Sequence, residues 1–276
     1  MTDGFTNNDL TCSGEKTKLL VFGTRAGRKA KLEERVLQLT VCEDVVKEST
    51  SEKLLGIVIN NTATWHHHLH GDDENDGLLP TLAKRVGVLR KLRKHTPDRK
   101  FRQLISGLFT SKLMYGATVW GGVWNIPGVM GENIKKTSIT KQDMRRLQTL
   151  QNKVMRLESR MEYNTPTATL LKKTNSLSVH QMVAMYTMTQ MYSVVRSQQP
   201  KYHYNRLVTT QPIGPETRSE IYKSVEFDLS ISRGSFFYQS SRLWAALPPG
   251  IRNASKKNVF KKMCRRWIIQ NIPIKP

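Results

Sequence analysis

The 276-residue sequence has only three cysteines and no apolar run long enough to cross a membrane. Cys12, Cys42 and Cys264 lie far apart, and an odd, sparse set of cysteines predicts reduced thiols rather than a disulfide framework. A membrane helix needs roughly 18 consecutive apolar residues. The N-terminus also lacks the basic start and apolar run of a secretory signal. We therefore expect an intracellular protein, nuclear or cytoplasmic, that is neither secreted nor inserted in a membrane.

Acidic residues are half as numerous as basic ones. The sequence has 22 Asp and Glu against 44 Lys and Arg, a formal net charge of +22. Repulsion among so many like charges favours an anionic partner, and nucleic acid is the first candidate. The cations are clustered, because residues 84–102 contain nine Lys or Arg and one acid, Asp98. A membrane surface and a basic protein without a specific partner are the alternatives.

The hydrophobic pattern changes its period near residue 77. Before this point, short runs with alternating or β-branched residues predict strands in TKLLVF, VLQLTV, VCEDVV and, over residues 53–60, KLLGIVIN. A tight reversal is predicted at Glu43-Asp44. The expected fold class is therefore α+β, mainly α, with a small antiparallel β region at the N-terminus followed by helices.

Helical spacing dominates after residue 77. One apolar helix face is predicted from Leu78, Leu82, Val86 and Leu89. Thr96-Pro97-Asp98 marks a boundary between two helices, and the second carries its apolar residues at Phe101, Leu104, Ile105, Leu108 and Leu113. A long helix is predicted from Thr140, its N-cap, to Met161, and a buried central helix from Ser178 to Val195. Residues 199–225 are predicted to be loop.

These changes divide the chain into four predicted regions. Residues 1–62 contain the strands, and residues 63–125 form a basic helical region. Residues 126–139 are a linker rich in Gly and Pro, and residues 140–276 form a C-terminal helical region. The 140–161 helix has apolar steps of three and four, so a role in pairing with another helix is an open alternative to packing within its own domain.

The stretch TWHHHLHGDDEND, residues 64–76, raises the question of a metal site. His66 and His70 would point the same way on a helix, and Asp72, Asp73 or Glu74 could complete a Zn²⁺ or Mn²⁺ site. Three consecutive histidines, however, point in different directions on any regular element. The acids also fit the N-terminal region of the following helix, where its dipole favours negative charge. We predict no metal site and no catalytic residue set.

Seven segments occur in a distinctive order: EKTKLLVFG, SEKLLGIVINNTATWHHHL, KLMYGATVWG, RRLQTLQNKVMRL, NTPTATLL, RGSFFYQSSRLWAALPPGIR and FKKMCRRW. Their order resembles the C-terminal part of the reverse transcriptases of non-LTR (LINE-like, jockey-like) retrotransposons, and the resemblance extends over nearly the whole chain. The resemblance implies that residues 1–62 are the end of the palm with the primer-grip strands and that residues 63–125 are the thumb.

The resemblance also assigns roles to individual residues. Lys16 and Thr17 match the late-palm lysine motif, and the primer-grip strand corresponds to Leu54, Leu55, Gly56 and Ile57. Phosphate contacts of the thumb would come from Lys84, Arg85, Arg90, Lys91, Arg93 and Lys94, which position a duplex without reading its sequence. Tyr115, Trp120 and Trp124 are expected in the core of the thumb. The implied partner is RNA or an RNA–DNA hybrid, with no small-molecule substrate.

The palm aspartates that hold two catalytic metals in this family have no counterpart in the fifteen residues before Lys16. The resemblance therefore implies a truncated RNA-directed DNA polymerase without polymerase activity of its own. No cofactor is expected, since Mg²⁺ would belong to the missing palm. The alternatives are a stand-alone nucleic-acid-binding module and a non-functional remnant.

Overall fold

The structure is a computed structural model, and it describes residues 13–23, 38–41, 44–123, 126–129, 139–207 and 235–274. The chain divides into two compact units, Met1–Gly77 and Leu78–Pro276. Two small antiparallel sheets lie in the first unit and are followed by helices, which confirms the predicted class, α+β and mainly α. The finer division into four regions stays a prediction.

Two hairpins form the β structure of the N-terminal unit. Strand β1, Gln38–Val41, pairs antiparallel with β2, Asp44–Lys47, and Val41 lies opposite Asp44. The reversal was therefore predicted one residue too late, because Asp44 already belongs to β2. The TKLLVF segment does not form a regular strand, and Leu19 makes a single parallel bridge with Glu48.

The prediction of one strand over residues 53–60 is wrong, because these residues belong to a hairpin. Strand β3, Ser51–Leu54, pairs with β4, Ile57–Asn60, and Leu54 lies opposite Ile57. Leu55 and Gly56 form the two-residue turn, with φ of 47° and 80°. Positive φ at both positions is the signature of the turn whose twist matches that of the flanking strands. Glycine supplies one of them without steric cost, so Gly56 fixes the reversal.

Helix α1, His66–His70, packs on the second hairpin. Its buried residues are His68 and Leu69, and the backbone amide of Val58 donates a hydrogen bond to Nδ1 of His68 at 3.4 Å. The side chain of Asn60 holds the connection by accepting from the Thr64 amide at 2.8 Å and donating to the Thr64 hydroxyl at 2.7 Å. The histidine-rich stretch is therefore part of the packing of this unit.

The helical unit begins with α2, Leu78–Arg93, which buries the four predicted residues Leu78, Leu82, Val86 and Leu89. Helix α3, Asp98–Leu104, continues into a π-helical segment, Ile105–Thr110, and then α4, Ser111–Met114. The wider π turns move the buried position from the expected Leu108 to Phe109. The apolar face of this region was therefore only partly predicted, with Phe101 and Leu113 buried as expected.

Helix α5, Ala117–Trp120, follows Gly116, whose φ is 62°. Trp120 is fully buried, and its indole N–H donates to the Tyr115 carbonyl at 2.8 Å. The prediction of a core position is confirmed for Trp120 and wrong for Tyr115, which is 51% exposed. Trp124 lies outside the described residues.

The remaining helices start where the sequence places caps. Helix α6, Lys141–Ser159, begins at Thr140, whose hydroxyl accepts from the Asp143 amide at 3.0 Å. Ser178 and Gln181 form a reciprocal capping box at the start of α8. The other elements are α7, Thr167–Thr174; α8, Val179–Ser197; α9, Lys201–Leu207; α10, Phe236–Ala246; α11, Pro249–Arg252; and α12, Lys257–Asn271. Helix α9 contradicts the loop predicted over residues 199–225 at residues 201–207, and residues 208–225 lie outside the described residues.

Helix α8 is the centre of this unit, as predicted, and it contacts α5, α6, α9, α10 and α12. Tyr192 stacks on Phe260 of α12 with ring centroids 4.4 Å apart, and Met188 and Met191 are fully buried. The inner face of α6 packs on α2, α7 and α8. The apolar side of α6 is therefore packed within the helical unit. Among the described residues, no helix is both long and apolar enough to cross a membrane.

Candidate nucleic-acid interface

Helix α2 carries cations on two sides, and those on the inner side hold the fold together. Arg93 has a side chain only 9% exposed. Its guanidinium donates to the Leu157 carbonyl at 2.8 Å, to the Thr96 carbonyl at 3.0 Å and to Asp98 at 2.5 Å. It also lies 4.7 Å from the ring centroid of Phe101. Arg93 therefore joins α2 to the start of α3 and the end of α6.

Asp98 is the acidic partner at this junction. The hydrogen bond from Arg93, together with the positive charges of Arg93, Arg160 and Arg102, holds the pKa of Asp98 below its ordinary value. Arg102 also donates to Glu158 of α6 at 2.9 Å. Burial raises the pKa of Glu158 even though Arg102 acts in the opposite direction. Part of the basic cluster 84–102 is thus engaged with acids and carbonyls of the same chain.

Arg85 is the second inner arginine. It is half-buried, and its guanidinium donates to the Leu108 carbonyl in the π-helical segment. This bond ties α2 to the element that follows α3. Arg85 and Arg93, the inner arginines, are therefore bound within the helical unit.

The outer cations are Lys84, Arg90 and Lys91 of α2 and Lys94, the residue that follows the helix, and all four are exposed. Lys84 and Lys91 lie seven residues apart on α2, so they project from the same side of the helix. No acid occurs between Gly77 and Asp98 in the sequence. An acid-free row of exposed cations on a rigid helix is the arrangement that contacts a phosphate backbone.

The predicted primer-grip residues lie at the tip of the β3–β4 hairpin. Leu54 is 60% and Leu55 is 82% exposed, a large exposure for two apolar side chains. Lys16 is exposed, and Thr17 donates its hydroxyl hydrogen to the Ser13 carbonyl at 2.8 Å. The backbone after Thr17 is anchored where Ser49 donates to Leu19 and Gly23 donates to Asn61.

His66 and His70 have the predicted helical spacing, but the acids that follow them do not complete a metal site in the described residues. The rings of His66 and His70 stack with centroids 4.6 Å apart. Within the described part of the chain, no group of three or more His, Cys, Asp or Glu is placed to hold a metal ion. The acids 72–76 precede α2, whose first turn contains no acid.

Asp72 instead organises its own loop. One carboxylate oxygen accepts from the amides of Glu74 and Asn75 and from the Asn75 side chain, and the other accepts from Ser51 at 3.0 Å. Partial burial raises the pKa of Asp72, but these hydrogen bonds outweigh it and leave the pKa below its ordinary value. Asp72 therefore has a structural role within the N-terminal unit.

The C-terminal segments that carry the family resemblance are mostly structural. Gln151 donates to the Leu177 carbonyl at 2.8 Å, and Asn152 donates to the Thr167 hydroxyl at 2.9 Å. Trp244, Leu247 and Phe260 are fully buried. Sequence reasoning missed the amide network of α6, although Gln148 and Gln151 lie on its apolar side at helical spacing. These residues hold the helical unit together.

A second basic helix was also missed as a candidate. The exposed cations of α12 are Lys257, Lys261, Lys262 and Arg266, and no acid follows Asp228 in the sequence. Arg265 is engaged with the end of α7, because it donates to the carbonyl and side-chain oxygens of Asn175 at 2.6 and 2.9 Å. The charge pattern of the sequence could have identified this helix.

Comparison with known proteins gave no match, whether to a protein-family model, to a curated protein or to a solved structure.

Proposed function

We propose that this chain binds nucleic acid through the outer cations of α2, as the thumb and C-terminal part of a non-LTR retrotransposon reverse transcriptase. The observation that carries the proposal is the division of charge on α2. The inner arginines donate to carbonyls of other elements, and the outer cations Lys84, Arg90 and Lys91, followed by Lys94 just beyond the helix, are exposed along an acid-free stretch. The fold alone does not require that exposed row of like charges.

The proposed contact is with phosphates. Lysine and arginine at a phosphate backbone release counterions, so the affinity falls as salt rises. The preferred partner is RNA or an RNA–DNA hybrid, recognised through its A-form shape, backbone and 2′-hydroxyls rather than through base edges.

The test is binding of the full chain to an RNA–DNA hybrid across a salt series. The quadruple variant Lys84→Gln, Arg90→Gln, Lys91→Gln, Lys94→Gln should bind more weakly. The slope of log affinity against log salt is negative, and in this variant it should become less negative by about three units, since each phosphate contact contributes roughly 0.7 to 0.9. The stability of this variant should remain close to that of the unchanged chain, because these side chains are exposed.

The matched control removes the same charge elsewhere: Lys153→Gln, Lys172→Gln, Lys173→Gln and Lys201→Gln, all at exposed positions. Its slope should stay close to that of the unchanged chain. Equal losses in the two quadruple variants would show that net charge, and not α2, binds the nucleic acid. A slope near zero for the unchanged chain would overturn the proposal.

The β3–β4 hairpin is proposed to contact the primer end, as the family resemblance implies for Leu54–Ile57. Two exposed leucines on a tight turn form a small apolar wedge that can pack against the terminal base pair. Leu55→Ser should reduce affinity for a hybrid with a recessed 3′ end more than for a blunt hybrid. Leu39→Ser is the control, because Leu39 is an exposed leucine of the other hairpin. Equal effects of the two substitutions would contradict a role for this tip.

A stand-alone nucleic-acid-binding module is the second candidate. It is favoured by the helical unit, Leu78–Pro276, which has a buried core of its own. A module without a polymerase role should bind single-stranded RNA and hybrids with recessed ends equally well. The reverse transcriptase interpretation predicts a preference for the recessed hybrid, so the same binding assay separates the two.

A further inference from the structure

Gly87 lies in the middle of α2, where a glycine weakens the helix relative to alanine. The residue is exposed, and a Cβ added to it would meet no atom within 4 Å. Its position is therefore not explained by close packing within the chain. In contrast, a Cβ on Gly77 or Gly121 would collide with neighbouring backbone atoms. Gly87 is thus a helix-interior glycine for which the described part of the chain gives no steric reason.

Three of the four neighbours of Gly87 on the helix surface are outer cations, and the fourth is Ala83. Lys84 lies three residues before it, and Arg90 and Lys91 lie three and four residues after it. Residues three and four apart are neighbours on the same side of a helix. Gly87 therefore lies at the centre of the exposed row of charge, where the side chains around it can spread apart.

We propose that Gly87 is a contact residue of this interface, where a sugar–phosphate backbone approaches the backbone of α2 directly. The inference rests on the proposed function and specifies its geometry. Glycine is the residue that permits a ligand to approach a protein backbone this closely. With no side chain at position 87, one strand can lie against the helix while Lys84 and Lys91 reach phosphates on either side. A side chain here would hold the strand away from both cations.

The experiment substitutes Gly87→Ala and Gly87→Gln in the full chain and measures affinity for the RNA–DNA hybrid, together with the melting temperature. Both substitutions improve helix propensity, so loss of folding cannot explain weaker binding. Gly87→Ala should raise the melting temperature by about 2 to 4 °C. It should also weaken binding, and Gly87→Gln should weaken it roughly tenfold, as expected where bulk is forced into a close contact.

Gly107→Ala and Gly107→Gln are the matched controls. Gly107 is also exposed, lies in the π-helical segment, and a Cβ there would also meet no atom within 4 Å. The residues three and four positions away from it, Gln103, Leu104, Thr110 and Ser111, include no cation. These variants should bind as the unchanged chain does. If the quadruple variant of the outer cations loses affinity while Gly87→Gln does not, the close approach is wrong and the proposed function stands. If the unchanged chain shows no salt-dependent binding, both proposals are overturned.

Discussion

The inner and outer sides of α2 both carry positive charge, but their side chains have different surroundings. Arg85 and Arg93 donate to carbonyls of other elements, whereas Lys84, Arg90, Lys91 and Lys94 are exposed. The inner positions are both arginine, whose planar fork can satisfy several acceptors at once, while a lysine provides a compact charge. The difference teaches that a basic helix in a sequence is a mixture of structural and exposed cations, and that only the exposed ones are candidates for binding.

The largest expected effect comes from Arg93→Met, which keeps much of the side-chain volume and removes the guanidinium. The Leu157 and Thr96 carbonyls would each lose a donor, and the α2–α6 junction would lose its link. We expect the free energy of unfolding to fall by about 2 to 4 kcal/mol, the range for losing a largely buried charged hydrogen-bonding group. Urea denaturation followed by circular dichroism measures this loss.

Lys94→Met is the control, because Lys94 is the exposed neighbour of Arg93. It should change the free energy of unfolding by no more than about 0.5 kcal/mol, as exposed substitutions usually do. Equal losses in the two variants would show that Arg93 contributes no more to the free energy of unfolding than the exposed Lys94 does.

The fold was predictable where local chemistry determines it. The buried side of α2 follows from helical spacing, and the starts of α6 and α8 follow from Thr140 and Ser178 as caps. The β3–β4 turn was missed because its first residue, Leu55, is apolar and suggests a continuous strand. The burial of Phe109 was missed because it depends on a π-helical segment that interrupts the regular spacing.

The sequence predicted which segment is basic, but it did not predict which of the cations in that segment are exposed. The charge pattern located the basic helix, but it could not separate Arg93 from its neighbour Lys94. That distinction depends on the Leu157 carbonyl, which is 64 residues away in the sequence. The cations of α12 were not predicted, because the family resemblance implies phosphate contacts only in the thumb region. Tertiary partners therefore decide which charges remain exposed, and they are not visible in local sequence.

The smallest expected effect is that of Asp98→Asn. This substitution tests whether Arg93 is held in place mainly by its carbonyl acceptors or by the Asp98 carboxylate. The Asp98 side chain is 69% exposed, so solvent screens its pairing with Arg93. We expect the melting temperature of this variant to lie slightly below that of the unchanged chain at pH 7, and far above that of Arg93→Met.

The pH dependence of this small difference has a definite sign. The pKa of Asp98 is lower in the folded chain than its ordinary value of 3.8, because Arg93 favours the charged form. Its contribution to stability is therefore fully present above pH 3.8 and is lost as the pH falls through the lower folded pKa. The difference in melting temperature between the unchanged chain and Asp98→Asn should therefore narrow as the pH falls below 3.8. A loss in Asp98→Asn as large as that in Arg93→Met would show that the carboxylate holds Arg93 on the inner side, and that its carbonyl bonds are secondary.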